Sequence, residues 1–96
     1  GTTTFKTIKY SGYGADTISN VSLPIGEYNV KFTHSGSWNF VVYFGGHLSY
    51  DDLAVNEIGK VSYIYRIKST QFQPIENCYF NITDADGYWT ITIEAI

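Results

Sequence analysis

The stretch Glu27-Tyr28-Asn29-Val30-Lys31-Phe32-Thr33-His34 alternates large apolar residues with polar ones. Successive side chains of an extended chain point to opposite faces. This period of two therefore predicts a strand with Tyr28, Val30 and Phe32 in a core and Glu27, Asn29, Lys31 and Thr33 in water. Outward from it the same rhythm recurs between turn signals. Ser35-Gly36-Ser37 leads into a fourth strand with Phe40, Val42 and Phe44 inward and Val41 and Tyr43 outward. Gly45-Gly46 reads as a two-residue hairpin, followed by a short fifth strand from Leu48 to Val55. After a loop from Asn56 to Lys60, a sixth strand places Val61, Tyr63, Tyr65 and Ile67 on one face.

Upstream, a first strand is expected over Thr3 to Tyr10 and a second over Asp16 to Leu23. In the second, Ile18, Val21 and Leu23 skip a step and predict a bulge near Asn20. Downstream, Ser69 to Asn77 contains Pro74 and is expected to be irregular. A last hairpin then turns at Asp84-Ala85-Asp86-Gly87, with Cys78, Phe80 and Ile82 on one arm and Trp89, Ile91 and Ile93 on the other. Regularly spaced short strands with turns between them predict an all-β, antiparallel two-sheet β-sandwich. It is jelly-roll-like, has about eight strands and forms a single domain over residues 1–96.

Composition agrees. Nine Tyr, six Phe and two Trp with no Met in 96 residues favour pleated, half-buried strands over helices. The single cysteine, Cys78, excludes an internal disulfide and reads as a buried thiol. Six basic residues against nine acidic ones give a net charge of −3, and the basic residues are scattered along the chain. No phosphate-binding footprint results, so nucleic acid is not expected as a partner. No apolar run reaches the length of a membrane span, and membrane insertion is not expected.

The chemistry of catalysis is thin. His34 and His47 sit in different strands at no spacing that nominates a nucleophile or a metal partner, and the acids cluster in turns. No catalytic residue is assigned. Asp84-Ala85-Asp86-Gly87 has the opening of a calcium loop but no bidentate Glu follows, so no metal and no cofactor are expected.

If strand directions alternate, every second connection falls at one end of the sandwich. Ser11–Gly14, Ser35–Ser37, Asn56–Gly59 and Asp84–Gly87 then share an end, and 24–26, 45–46 and 69–77 share the other. The first end gathers the candidate ligand-binding residues Tyr13, Trp38 and Tyr88 with Asp84, Asp86 and Asn56. Aromatic rings that stack on a sugar face, beside amides and carboxylates that bind hydroxyls, suit a carbohydrate. The bland alternative is that Trp38 caps the core and Tyr88 belongs to a cross-strand pair.

The segments YSGYGADTISNVSLPIGEYNVKFTHSGSWNFVVYF (10–44), LAVNEIGKVSYIY (53–65) and CYFNITDADGYWTITI (78–93) resemble a β-sandwich module of bacterial surface proteins and lipoproteins. They are also similar in plan to pre-peptidase C-terminal domains and jelly-roll carbohydrate-binding modules. Leu23-Pro24, Gly26, Tyr28, His34, Gly36, Asn39-Phe40, Asn56, Gly59 and Ala85-Asp86-Gly87 with Trp89 carry the likeness. Tyr13, Trp38 and Tyr88 depart from it, where smaller or polar residues are more usual. The resemblance implies a secreted or cell-envelope location and an accessory, non-enzymatic role. Two partner classes stay open. One is a glycan or cell-wall polymer at the aromatic end. The other is a second protein domain, or a weak homo-oligomer of an otherwise monomeric chain, against faces bearing Val41, Tyr43, Ile64 and Tyr79.

Overall fold

The computed structural model describes residues 5–96, which form strands and turns without a helix. The strands are β1 (Ile8–Tyr13), β2 (Asp16–Leu23), β3 (Gly26–His34), β4 (Asn39–Gly45), β5 (Asp52–Ile58), β6 (Val61–Ser69), β7 (Ile75–Asp84) and β8 (Tyr88–Ala95). Sheet A has the order β1-β8-β3-β6 and sheet B the order β2-β7-β4-β5, and all pairings are antiparallel. First pairs with last, second with second-last, and so inward to β4 with β5. A long hairpin rolled up in this way is a jelly roll.

The inward residues of the alternating strands make the core. Tyr28, Val30, Phe32, Phe40, Val42, Phe80, Ile82, Trp89, Ile91 and Ile93 are all buried, as the period of two requires. Phe32 meets Phe40 and Phe80 edge-on across the two sheets, and Phe44 packs on Phe80 at 4.7 Å between centroids. Cys78 is buried, and burial pushes its thiol up, so it behaves as a small apolar residue. The predicted bulge exists. Register shifts flank Val21, and Asn20 adopts φ 59°.

Four sequence expectations need correction. Gly45-Gly46 is not a two-residue hairpin, because β5 begins only at Asp52. These glycines serve a close approach instead: a Cβ on Gly46 would lie 3.0 Å from the Cys78 backbone, at a φ of +99°. The fifth strand accordingly runs later than Leu48 to Val55 and absorbs Asn56 and Ile58, which pair with Val41 and Asn39. The Ser69–Asn77 crossing is shorter than its composition suggests, since β7 starts at Ile75 directly after Pro74. Buried Ser69 fixes that crossing by donating to Leu23 O and accepting from Ile75 N–H. The first strand starts at Ile8 and runs on to Tyr13; Thr3 and Thr4 lie outside the described residues.

Candidate functional site

The four loops expected at one end meet there and are hydrogen-bonded to one another. Gly14 N–H donates to Gly87 O, Ser35 N–H to Tyr88 O, and Gly59 N–H to Trp38 O. The Trp89 indole N–H closes the first loop onto β8 by donating to Gly14 O at 2.8 Å. The loops follow the strand order, so they cross the end in a row: β1–β2, β7–β8, β3–β4, β5–β6.

Asp86 and His34 brace the middle of that row. The Asp86 carboxylate accepts the backbone N–H groups of Ser37 and Trp38 at 3.1–3.3 Å. Partial burial pushes its carboxyl up. The backbone donors and the nearby His34 outweigh that, so it stays below the usual aspartate value. The His34 ring is buried, stacks on Phe40 at 4.5 Å, and places Nδ1 2.9 Å from Gly59 O. Its Nε2 lies 3.4 Å from Asp86 Oδ1, an ion-pair distance longer than a good hydrogen bond. Nδ1 is paired with the Gly59 carbonyl, and Nε2 makes no hydrogen bond. Gly36 and Gly87 make the brace possible: a Cβ on Gly87 would sit 2.5 Å from Gly36 N, and one on Gly36 would strike Asp86 and His34.

The six candidate residues fall into three pairs that do not form one surface: Tyr13 and Tyr88 lie on the outer face of sheet A, Asp84 and Asn56 on the outer face of sheet B, and Trp38 with Asp86 between them. Tyr13 and Tyr88 are the last Cα partners of the β1–β8 ladder and touch edge-to-face, with centroids 4.9 Å apart. Trp38 is held by Asp86. Asp84 and Asn56 both stand opposite Val41, on the outer side of sheet B. Trp38, Tyr88 and Tyr13 are 73%, 68% and 63% exposed, so Trp38 does not cap the core. Their backbones are nonetheless fixed. Trp38 is bonded through both N–H and C=O, and Tyr88 N–H donates to Ser35 Oγ.

Two features of this end escape a reading of the chain alone. One is the His34–Asp86 brace, which joins residues on β3 and in the β7–β8 turn that lie far apart in the chain. The other is a hydroxyl row. Ser11, Thr90, Thr33 and Ser62 are successive Cα partners across all four strands of sheet A, with Thr33 and Thr90 hydroxyls bonded to each other. In the β1–β8 ladder this row lies two residues below Tyr13 and Tyr88 on the same face. A shallow cavity lined by Glu57, Lys60, Val61, Ser62 and Tyr63 opens beside the β5–β6 turn.

Compared with known proteins, the chain matches no family model, no curated protein and no solved structure.

Proposed function

We propose that the chain is a non-catalytic binding module of a bacterial secreted or cell-surface protein, and that its loop end stacks on carbohydrate. The observation that carries this reading is the trio Tyr13, Tyr88 and Trp38, whose rings are exposed while their backbones are pinned. A ring on an already fixed backbone has only its side-chain torsions to lose on binding, so more of its stacking energy survives as affinity. The hydroxyl row beneath Tyr13 and Tyr88 adds donors and acceptors at strand spacing.

Each stacking contact contributes on the order of 1 kcal/mol, so one module binds in the micromolar to millimolar range. Avidity from repetition in a longer chain would raise this. A glycan array followed by titration of the best ligand tests the proposal. Trp38→Ala and Tyr88→Ala should each weaken binding by about fivefold to tenfold; Trp38→Ala should leave the melting temperature unchanged, while Tyr88→Ala, which loses the ring packed on Tyr13, should lower it by a few degrees. Absence of any glycan ligand at millimolar concentration, or a ligand bound equally by both variants, would overturn it.

A further inference from the structure

The net charge of −3 hides a strong segregation. The strands of sheet A carry Lys9, Lys31, Arg66 and Lys68 against Glu27 and Glu94. The strands of sheet B carry Asp16, Asp52, Glu57, Glu76 and Asp84 and no basic residue at all; Asp16, Asp52 and Glu57 stand opposite the inward Ile82, Phe44 and Phe40 at the sheet's edges, which leaves Glu76 and Asp84 for its outer face. Four of the six basic residues that look scattered along the chain are therefore collected by the fold on one side. All four basic residues of sheet A alternate with core positions and face outward: Lys9 and Lys31 flank Thr92, Arg66 stands beside Asn29, and Lys68 beside Glu27. Lys31 and Lys68 have partners in Glu94 and Glu27; Lys9 and Arg66 make no ion pair among the described residues.

The outer face of sheet B has an apolar centre with an acidic border. Val41, Tyr43 and Tyr79 are half-buried there, and Leu53 is exposed opposite Tyr43. Asp84 flanks Val41, Glu76 lies near the other end of β7, and Asp51 accepts the Tyr79 hydroxyl. The two faces are thus complementary to each other and not to themselves. Pairing two sheet B faces would bring acid against acid, and pairing two sheet A faces would bring base against base.

We propose that the chain self-associates head to tail, the outer face of sheet A of one copy resting on the outer face of sheet B of the next. Lysine and arginine stems, with exposed Ile64, would cover Val41, Tyr43, Leu53 and Tyr79 while their charged heads reach the acidic border. The principal extents of 44 × 29 × 18 Å make the faces larger than the roughly 800 Å² per partner that a stable complex buries. The contact is heterologous, since different surfaces meet, so it propagates into a stack instead of closing as a two-fold dimer.

Sedimentation equilibrium of the 96-residue chain tests this, from about 10 μM to about 1 mM, in roughly 20 mM and then 500 mM salt. The average mass should rise with concentration at low salt and return to the monomer at high salt. Lys9→Glu with Arg66→Glu reverses one face and Glu76→Lys with Asp84→Lys the other, and all four positions are exposed. Circular dichroism confirms that each variant is folded. Each double variant alone should associate at least about tenfold more weakly, and an equimolar mixture of the two should recover association, because each reversed face then meets a complementary one. A wild-type monomer at every concentration in low salt would overturn the proposal. So would association that survives both charge reversals, or a mixture that fails to recover it.

Discussion

Trp89→Phe separates the structural role of the loop end from its binding role. Trp89 is buried, its indole lies against the Gly12 Cα, and its N–H donates to Gly14 O. Phenylalanine keeps one ring and the rotamer but deletes the N–H and the second ring. Losing the hydrogen bond costs about 1 kcal/mol net, toward the mild side because Gly14 is only half-buried and water can reach its carbonyl. The missing ring atoms leave a small void and forfeit burial worth about 1.5 kcal/mol. The sum, about 2 to 3 kcal/mol, is a large share of the stability of a domain this size and lowers its melting temperature by roughly 10–20 °C. Urea unfolding followed by far-UV circular dichroism measures it, with an unchanged m-value showing that two-state behaviour persists. Trp38→Phe is the control. At 73% exposure it should change stability by no more than about 0.5 kcal/mol. If the two variants melt together, Trp89 is not what ties the β1–β2 loop to β8.

Three further outcomes are expected. Phe32→Ala should cost about 3 to 5 kcal/mol because it removes a ring packed on Phe40 and Phe80, whereas Phe72→Ala, at a position 90% exposed, should be nearly silent in the same melt. Asp86 is held below its ordinary value, so its contribution is present above the unfolded aspartate pKa near 4 and is lost as pH falls through the lower folded value. The melting-temperature gap between wild type and Asp86→Asn should therefore be flat above about pH 5 and narrow on acidification. Tyr65 is pushed up by burial and by its bond to Asp52, and burial also raises Tyr10 and Tyr28. For a group whose folded value is raised, stability is retained below the unfolded value near 10 and lost as pH rises through the folded one. Absorbance titration of the phenols should show exposed tyrosines ionising first and these three only later, together with unfolding.

Much of this molecule is local information. The period of two in Glu27–His34, in Phe40–Phe44 and in the final hairpin depends only on the pleat of an extended chain, so the strands and their buried faces follow from the sequence directly. The sorting of loops onto two ends needs only alternating direction, and it suffices to gather Tyr13, Trp38 and Tyr88 at one end. Where a residue's role depends on distant neighbours, the same reading fails. Gly45-Gly46 carries the local signal of a hairpin, yet it yields to the approach of Cys78 on β7. Asp86 resembles a turn cap or part of a ligand site, but it serves Ser37 and Trp38 from 49 and 48 residues away, and the Trp89 indole reaches back 75 residues to Gly14. The same dependence governs charge. Lys9, Lys31, Arg66 and Lys68 are dispersed in the chain and gathered in space because β1, β3 and β6 share a sheet. Nested pairing of β1 with β8 and β3 with β6 joins segments far apart in sequence, and side-chain periodicity, which reports only which face a residue occupies, does not say which strand lies beside it.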